Sequence, residues 1–329
     1  MKKFTVLLLV WVLMALAGCY DSSNDSDTSE NDSSQGAEAT WESLATPIVA
    51  DGHALDAPLV DFLPDGRMVV VEGGSATEIE IAVEEAAGSL SFSYVTSLVP
   101  GDEFSYGSFV KALDNATVVV GASTIIYLVD LSAGTSEILT EIDNFDAALN
   151  GNDLYVTRMT YNADWSYNGY VTRIDLADPD APVDVITGIP GASAGVCLDD
   201  GGNLYTGNGY SNAGVDETGL IKRFDLSSAP LDWSAGTSCG DILSAGTLIW
   251  VGGGMMLVGG GDTFGSGDDD YFALLYTDSA ATVLQFDPDA AANSNYKLSA
   301  GAGRFAASVW DYATSSGTIY LMSLADILE

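Results

Sequence analysis

Beyond residue 40 the chain alternates short apolar runs with clusters of Gly, Asn and Asp. "GRMVVVEGG" (66–74), "ATVVVGAS" (116–123), "DLYVTRM" (153–159), "NLYTGNG" (203–209) and "MMLVGGG" (255–261) are rich in β-branched and aromatic residues and end in turn formers. That is the composition of short strands joined by tight connections. No segment past residue 40 carries apolar positions at helical spacing between a start and a stop signal, and "EEAAG" at 84–88 is too short to count. The pattern predicts an all-β domain.

The strands recur as a unit. "NDLYVTRMTYNADWSYNGYVTRIDL" (152–176) and "GNLYTGNGYSNAGVDETGLIKRFDL" (202–226) align without a gap and match at eight of twenty-five positions. One strand type ends in an apolar–Asp step, in "IIYLVDL" (125–131), "YVTRIDL" (170–176), "LIKRFDL" (220–226) and "TVLQFDP" (282–288), with weaker copies at 77–83 and 318–324. Before it stands one of the runs quoted above. A further strand precedes that run, as in "PLVDFLPDG", "FVKALDN", "FDAALNGN" and "GVCLDDGG".

A strand-rich unit of about 40–50 residues, repeated, is the signature of a β-propeller. Each four-stranded antiparallel blade buries its two faces against its neighbours, so the blades must stack around an axis. Asp-type strands near 81, 130, 175, 225, 287 and 323 count six blades. Seven also fit, because 226–287 has room for an irregular one, and a pair of sandwiches is a third arrangement. The sixth strand lies near Glu329, so 45–56 ("ATPIVADGHALD") is expected to supply the missing outer strand and close the ring.

The phrase "DDGGNLYTGN…GLIKRFDL" resembles the repeats of six-bladed propellers of the NHL and gluconolactonase-like families. The likeness covers blades three and four well and the others by strand spacing. It speaks for architecture, since propellers host many functions. The gluconolactonase-like resemblance implies a divalent metal in the central channel, held by a Glu with Asn or Asp residues. Asp199 and Asn203 stand in turns near such positions, but no full ligand set and no matching Glu is present.

The N-terminus reads as an address. Lys2 and Lys3 precede an apolar stretch, Phe4 to Ala17, too short for an ordinary membrane span. It ends in "LAGC", which resembles the lipobox of bacterial lipoproteins. That resemblance implies cleavage after residue 18 and a diacylglycerol on Cys19, with acyl chains stable enough to anchor the protein in a membrane. Tyr20 in place of an Asp leans towards the outer membrane of the cell envelope. Residues 20–40 hold no Lys or Arg and almost no apolar side chain, so 19–40 is expected to be a disordered acidic tether ahead of a propeller spanning 41–329.

Charge narrows the partners. Forty-seven acidic residues face ten basic ones, a formal charge of −37. Nucleic acid is excluded as a partner, because phosphate binding needs clustered Lys and Arg. Cys197 and Cys239 remain after Cys19, so one disulfide is available in an oxidising compartment. A lone His53 completes no histidine-rich metal site.

Candidate binding residues gather in the connections between second and third strands. These are tight in blades one and two and long in blades three to five, at 158–169, 207–219 and 259–272. Long loops on a rigid scaffold are where binding residues sit. Tyr161, Trp165, Tyr167, Tyr210 and Phe264 offer flat stacking surfaces, with Asp164, Asn212 and Asp216 as hydrogen-bond acceptors beside them. Asp262, Asp268, Asp269 and Asp270 on a Gly-rich loop can offer oxygens to Ca²⁺. The expected function is non-catalytic binding of a small ligand or an envelope protein. A metal-dependent lactonase-like enzyme and a scaffold of an outer-membrane assembly are the alternatives.

Overall fold

The computed structural model describes residues 42–44, 55–73, 78–99, 107–162, 167–210, 220–242, 245–260, 271–286, 296–311 and 316–328. They form six antiparallel sheets arranged as a β-propeller. Blade one comprises Pro58–Phe62, Met68–Glu72, Ile79–Glu84 and Phe92–Leu98, from inner to outer strand. Blade two comprises Gly107–Ala112, Thr117–Ala122, Ile125–Asp130 and Thr135–Glu141. Blade three has Asp146–Asn150, Asp153–Tyr161, Tyr167–Asp175 and the long Asp178–Pro190. Ala192–Leu198, Leu204–Tyr210, Leu220–Phe224 and Thr237–Asp241 make blade four, and Thr247–Gly252, Met255–Gly260, Tyr271–Tyr276 and Ala281–Phe286 make blade five. Blade six is Tyr296–Gly301, Arg304–Asp311 and Ser316–Ser323, with Glu42–Leu44 as its outer strand. Among the described residues 226–287 holds no seventh blade: its extra strand, Leu231–Asp232, pairs in parallel with the outer strand of blade three.

The recurring Asp residues have a local cause. Asp130 accepts the N–H groups of Ser132 and Ala133, Asp175 that of Ala177, and Asp225 that of Ser227, all at 2.8–3.0 Å. Each closes the turn from third to outer strand with its own carboxylate, as Asx turns do. Asp65, Asp114 and Asp199 do the same in the first-to-second turns. Blade five corrects the count. "TVLQFDP" is its outer strand, the third strand is Tyr271–Tyr276, and Asp278 rather than Asp287 stands in the turn between them. Asp287 mimics the motif because an apolar run followed by Asp looks alike on either strand.

The ring closes as expected in kind but not in place. Glu42–Leu44, just ahead of the expected 45–56 stretch, pairs antiparallel with Ile319–Leu321, and Leu55 bridges Gly317.

Among the described residues the buried side chains fall into six apolar clusters, one at each seam between blades. Val69 and Val71 face blade two while Met68 and Val70 face blade six. Both faces of the second strands are therefore dry, which is why they read as unbroken apolar runs. At roughly 25 cal/mol per Å² of apolar surface removed from water, these seams are the main source of stability.

The Cys197–Cys239 disulfide does not form: both are free, buried thiols. They lie on the first and fourth strands of blade four, so two intervening strands hold their backbones about 14 Å apart. A disulfide needs Cα atoms within about 7 Å. Cys197 Sγ instead meets Met256 Sδ at 3.4 Å, and Cys239 Sγ donates to the Ile221 carbonyl at 3.4 Å. Burial pushes the Cys239 thiol up to about 12 and Cys197 well above its ordinary value, so both stay protonated and inert.

Candidate functional site

Antiparallel blades place every second-to-third connection on one face of the ring and every first-to-second turn on the other. The connections of blades three to five therefore leave from one face, long in blades four and five (211–219 and 261–270). The expected 158–169 connection of blade three is mostly strand and shrinks to 162–166, shorter than 73–78 in blade one. Blade three shows their stem. Tyr161 ends its second strand, Tyr167 begins its third, and the two pair in register. Their rings stand 5.1 Å apart at 58°, and Tyr161 is 60 % exposed. Local burial, then Tyr167 and Asp143 nearby, raise the Tyr161 phenol above its ordinary value, so it keeps its proton and can donate. Asn168 Nδ2 donates to Asn162 Oδ1 at 2.7 Å and pins the base of the connection.

Of the expected binding residues the structure thus brings Tyr161 and Tyr167 together. Tyr210 ends the second strand of blade four, opposite Ala192. Asp164, Trp165, Asn212, Asp216, Phe264 and the candidate Ca²⁺ ligands Asp262, Asp268, Asp269 and Asp270 lie outside the described residues.

The axis holds polar residues that the sequence pattern did not single out. Asp61 on the inner strand of blade one accepts the Ala112 N–H from blade two at 2.7 Å and the Ser299 hydroxyl from blade six at 2.8 Å. Asp146 of blade three is buried and accepts the Val196 N–H from blade four at 3.0 Å. Lys297 of blade six donates to the Phe145 carbonyl at 3.2 Å and to the Gly246 carbonyl at 3.5 Å, ahead of the inner strands of blades three and five. Three side chains therefore link all six blades at the centre. Burial lowers the Lys297 pKa, Asp146 opposes that shift, and Lys111 on the blade-two inner strand adds to it. The sequence signal was available: an Asp or Lys inside a strand whose neighbours are apolar, as in "PLVDF" and "YKLSAG".

Asp199 and Asn203 serve a turn. Asp199 Oδ1 accepts the N–H groups of Gly201 and Asn203, and its Oδ2 accepts Asn203 Nδ2 and the Tyr205 hydroxyl. Partial burial works against ionisation, but these hydrogen bonds outweigh it and hold the carboxyl below its ordinary value. The same arrangement, after burial itself, pushes the Tyr205 phenol up to about 12. Among the described residues no three His, Cys, Asp or Glu side chains are grouped to hold a metal ion.

No family model matches the chain, and no curated protein matches it. Solved structures do. A chain in "Crystal structure of Nidogen/Laminin Complex" is similar with a TM-score of 0.54 at 10 % identity, over 71 % of this chain and 81 % of that one. A chain in "Crystal Structure of Mitotic Checkpoint Complex" is similar at 0.50 and 15 % identity, over 92 % and 86 %. At these identities the likeness shows a fold.

Proposed function

We propose that this protein is a lipid-anchored propeller of the bacterial cell envelope that binds a partner protein, without catalysis, through the face bearing the second-to-third connections of blades three to five. Residues 1–18 act as the signal, Cys19 carries the lipid, and 20–40 give the propeller reach from the outer membrane. The observation that carries the binding reading is the Tyr161–Tyr167 ring pair at the stem of the blade-three connection, with Tyr161 exposed and Tyr167 half-buried. Exposed aromatics on a rigid strand end bring large contact area at low entropic cost. The propellers it is similar to come from structures of protein complexes, and a protein partner is in keeping with that.

The axis weighs against the lactonase-like alternative. Lys297 spans the channel to two carbonyls, and an ammonium there repels the divalent cation such chemistry uses. Two experiments test the proposal. Replacing Cys19 with Ser should move the protein from the membrane to the soluble fraction, and unchanged membrane retention would sink the anchor. Exchanging 162–166 for a two-residue turn should abolish partner capture while leaving the melting temperature near that of the parent. Full capture by that variant would sink the loop-face reading.

A further inference from the structure

Seams between blades open towards the face of the first-to-second and third-to-outer turns, and the chain covers them unequally. At the seam of blades three and four, residues 225–236 make an excursion. Leu231–Asp232 adds in parallel to the edge of the blade-three outer strand, at Ile186 and Thr187, and Trp233 is buried against Phe224. At the seam of blades five and six, a short C-terminal helix, Leu324–Leu328, buries Ile327. Between blades two and three the corresponding turn is only Leu176 and Ala177, and nothing of this kind covers the seam among the described residues. A cleft of about 390 Å³ is left there, walled by Leu113, Leu128, Leu139 and Leu176. Beside it the outer strand Thr135–Glu141 is a sheet edge.

We propose that this cleft and edge dock an extended, basic segment of a partner protein, which adds to the Thr135–Glu141 strand and buries an apolar side chain among the four leucines. The chain's own excursion at the next seam shows the mode: a short extended stretch on an outer edge, with a large side chain beside it in the seam. Edge addition supplies main-chain hydrogen bonds, and the cleft supplies side-chain selectivity. Charge specifies the occupant. Asp114 lines the cleft, Asp130 ends the strand that carries Leu128, and Glu137 shares a face of the outer strand with Leu139. No basic residue lines the cleft. Asp114 and Asp130 are held by the turn N–H groups they accept, so their charges are already in place when a cation arrives. This site lies on the face opposite the long connections and stands or falls separately from the reading of that face.

The test uses the fluorescein-labelled peptide Lys-Leu-Lys-Val-Lys-Leu-Lys, titrated by anisotropy against the lipid-free protein. Saturable binding is expected, weakened about tenfold or more by Ala177→Trp, which fills the cleft from an exposed position. Asp114→Asn with Asp130→Asn keeps both turn acceptors and should weaken it comparably. Leu90→Trp, at the separate cleft between blades six and one, should bind like the parent. Hydrogen exchange should slow at the 135–141 amides when peptide is bound. Equal affinity of the parent and Ala177→Trp, equal loss in Leu90→Trp, unchanged exchange at 135–141, or no saturable binding would each overturn the proposal.

Discussion

Two seams of the ring are built on different principles. Between blades five and six, neighbours in the chain, apolar packing dominates: Leu257, Phe272, Leu274, Leu298 and Phe305 pack together, with the rings of Phe272 and Phe305 5.1 Å apart, and Lys297 adds one bond to Gly246 at the axis. Between blades six and one, where the ring closes, an apolar cluster is joined by a directional clamp. Arg304 Nη1 donates to Glu84 Oε2 at 2.8 Å and to the Gly66 carbonyl at 3.1 Å, while Glu84 also accepts the N–H groups of Met68 and Leu90. Asp61 and Ser299 add a second bond across the same seam. Apolar packing is non-directional and dominates where the chain itself sets the order of the strands. Closure joins segments more than 200 residues apart, which chain order does not hold side by side. Charge-assisted hydrogen bonds there fix how the last blade sits on the first.

The largest effects should come from cutting each seam at its centre. Arg304→Met leaves Glu84, which is fully buried, without its cation and should cost about 3–5 kcal/mol. Phe272→Ala should cost about 3–5 kcal/mol through the cavity it leaves. Urea denaturation followed by fluorescence measures both, and a loss under about 1 kcal/mol in either would mean that seam is not built as described. Acid should separate the two. Burial disfavours the Glu84 carboxylate, but Arg304 and the two N–H groups hold its pKa below the ordinary 4.5. Its contribution is therefore complete above that value and is lost as pH falls through the lowered folded value. Arg304→Met should flatten this acid dependence, whereas Phe272→Ala should lose stability by the same amount at each pH.

Smaller effects probe the blades themselves. At Gly195 an added Cβ would lie 2.6 Å from the backbone of Thr247, so the inner strands of blades four and five touch main chain to main chain. Gly195→Ala should cost about 1–3 kcal/mol by forcing them apart, read as a lower melting temperature. Asp130→Ala removes the acceptor of two turn N–H groups and should cost about 1 kcal/mol, with Asp130→Asn restoring most of it. An alanine variant as stable as the parent would mean the repeat Asp does not hold the turn.

These contrasts also explain what could be read in advance. Asp130, Asp175 and Asp225 were legible because each acts on N–H groups two or three residues away, and a local device leaves a local spacing. Blade number followed from that spacing even though Asp287 was counted in place of Asp278. Glu84 with Arg304, and Lys297 with the carbonyls of Phe145 and Gly246, were not legible, because partners brought together by ring closure share no spacing. The outer strand of blade six was misplaced by a few residues for the same reason. Of the candidate site, aromatic content singled out Tyr161 and Tyr167 as loop residues, and their pairing at a hairpin stem was not foreseen although it is local. The cleft of blades two and three was invisible: its four leucines come from four separate strands and turns.

The most direct measurement is site-specific photocrosslinking in intact host cells, with the photoreactive residue placed in turn at Tyr161 and at Ser227. Ser227 is exposed in the third-to-outer turn of blade four, on the opposite face and away from the cleft of blades two and three. Discrete adducts to one partner from position 161, absent from 227, are the predicted result. The same adducts from both positions, or none from 161, would contradict binding through the face that carries the long connections.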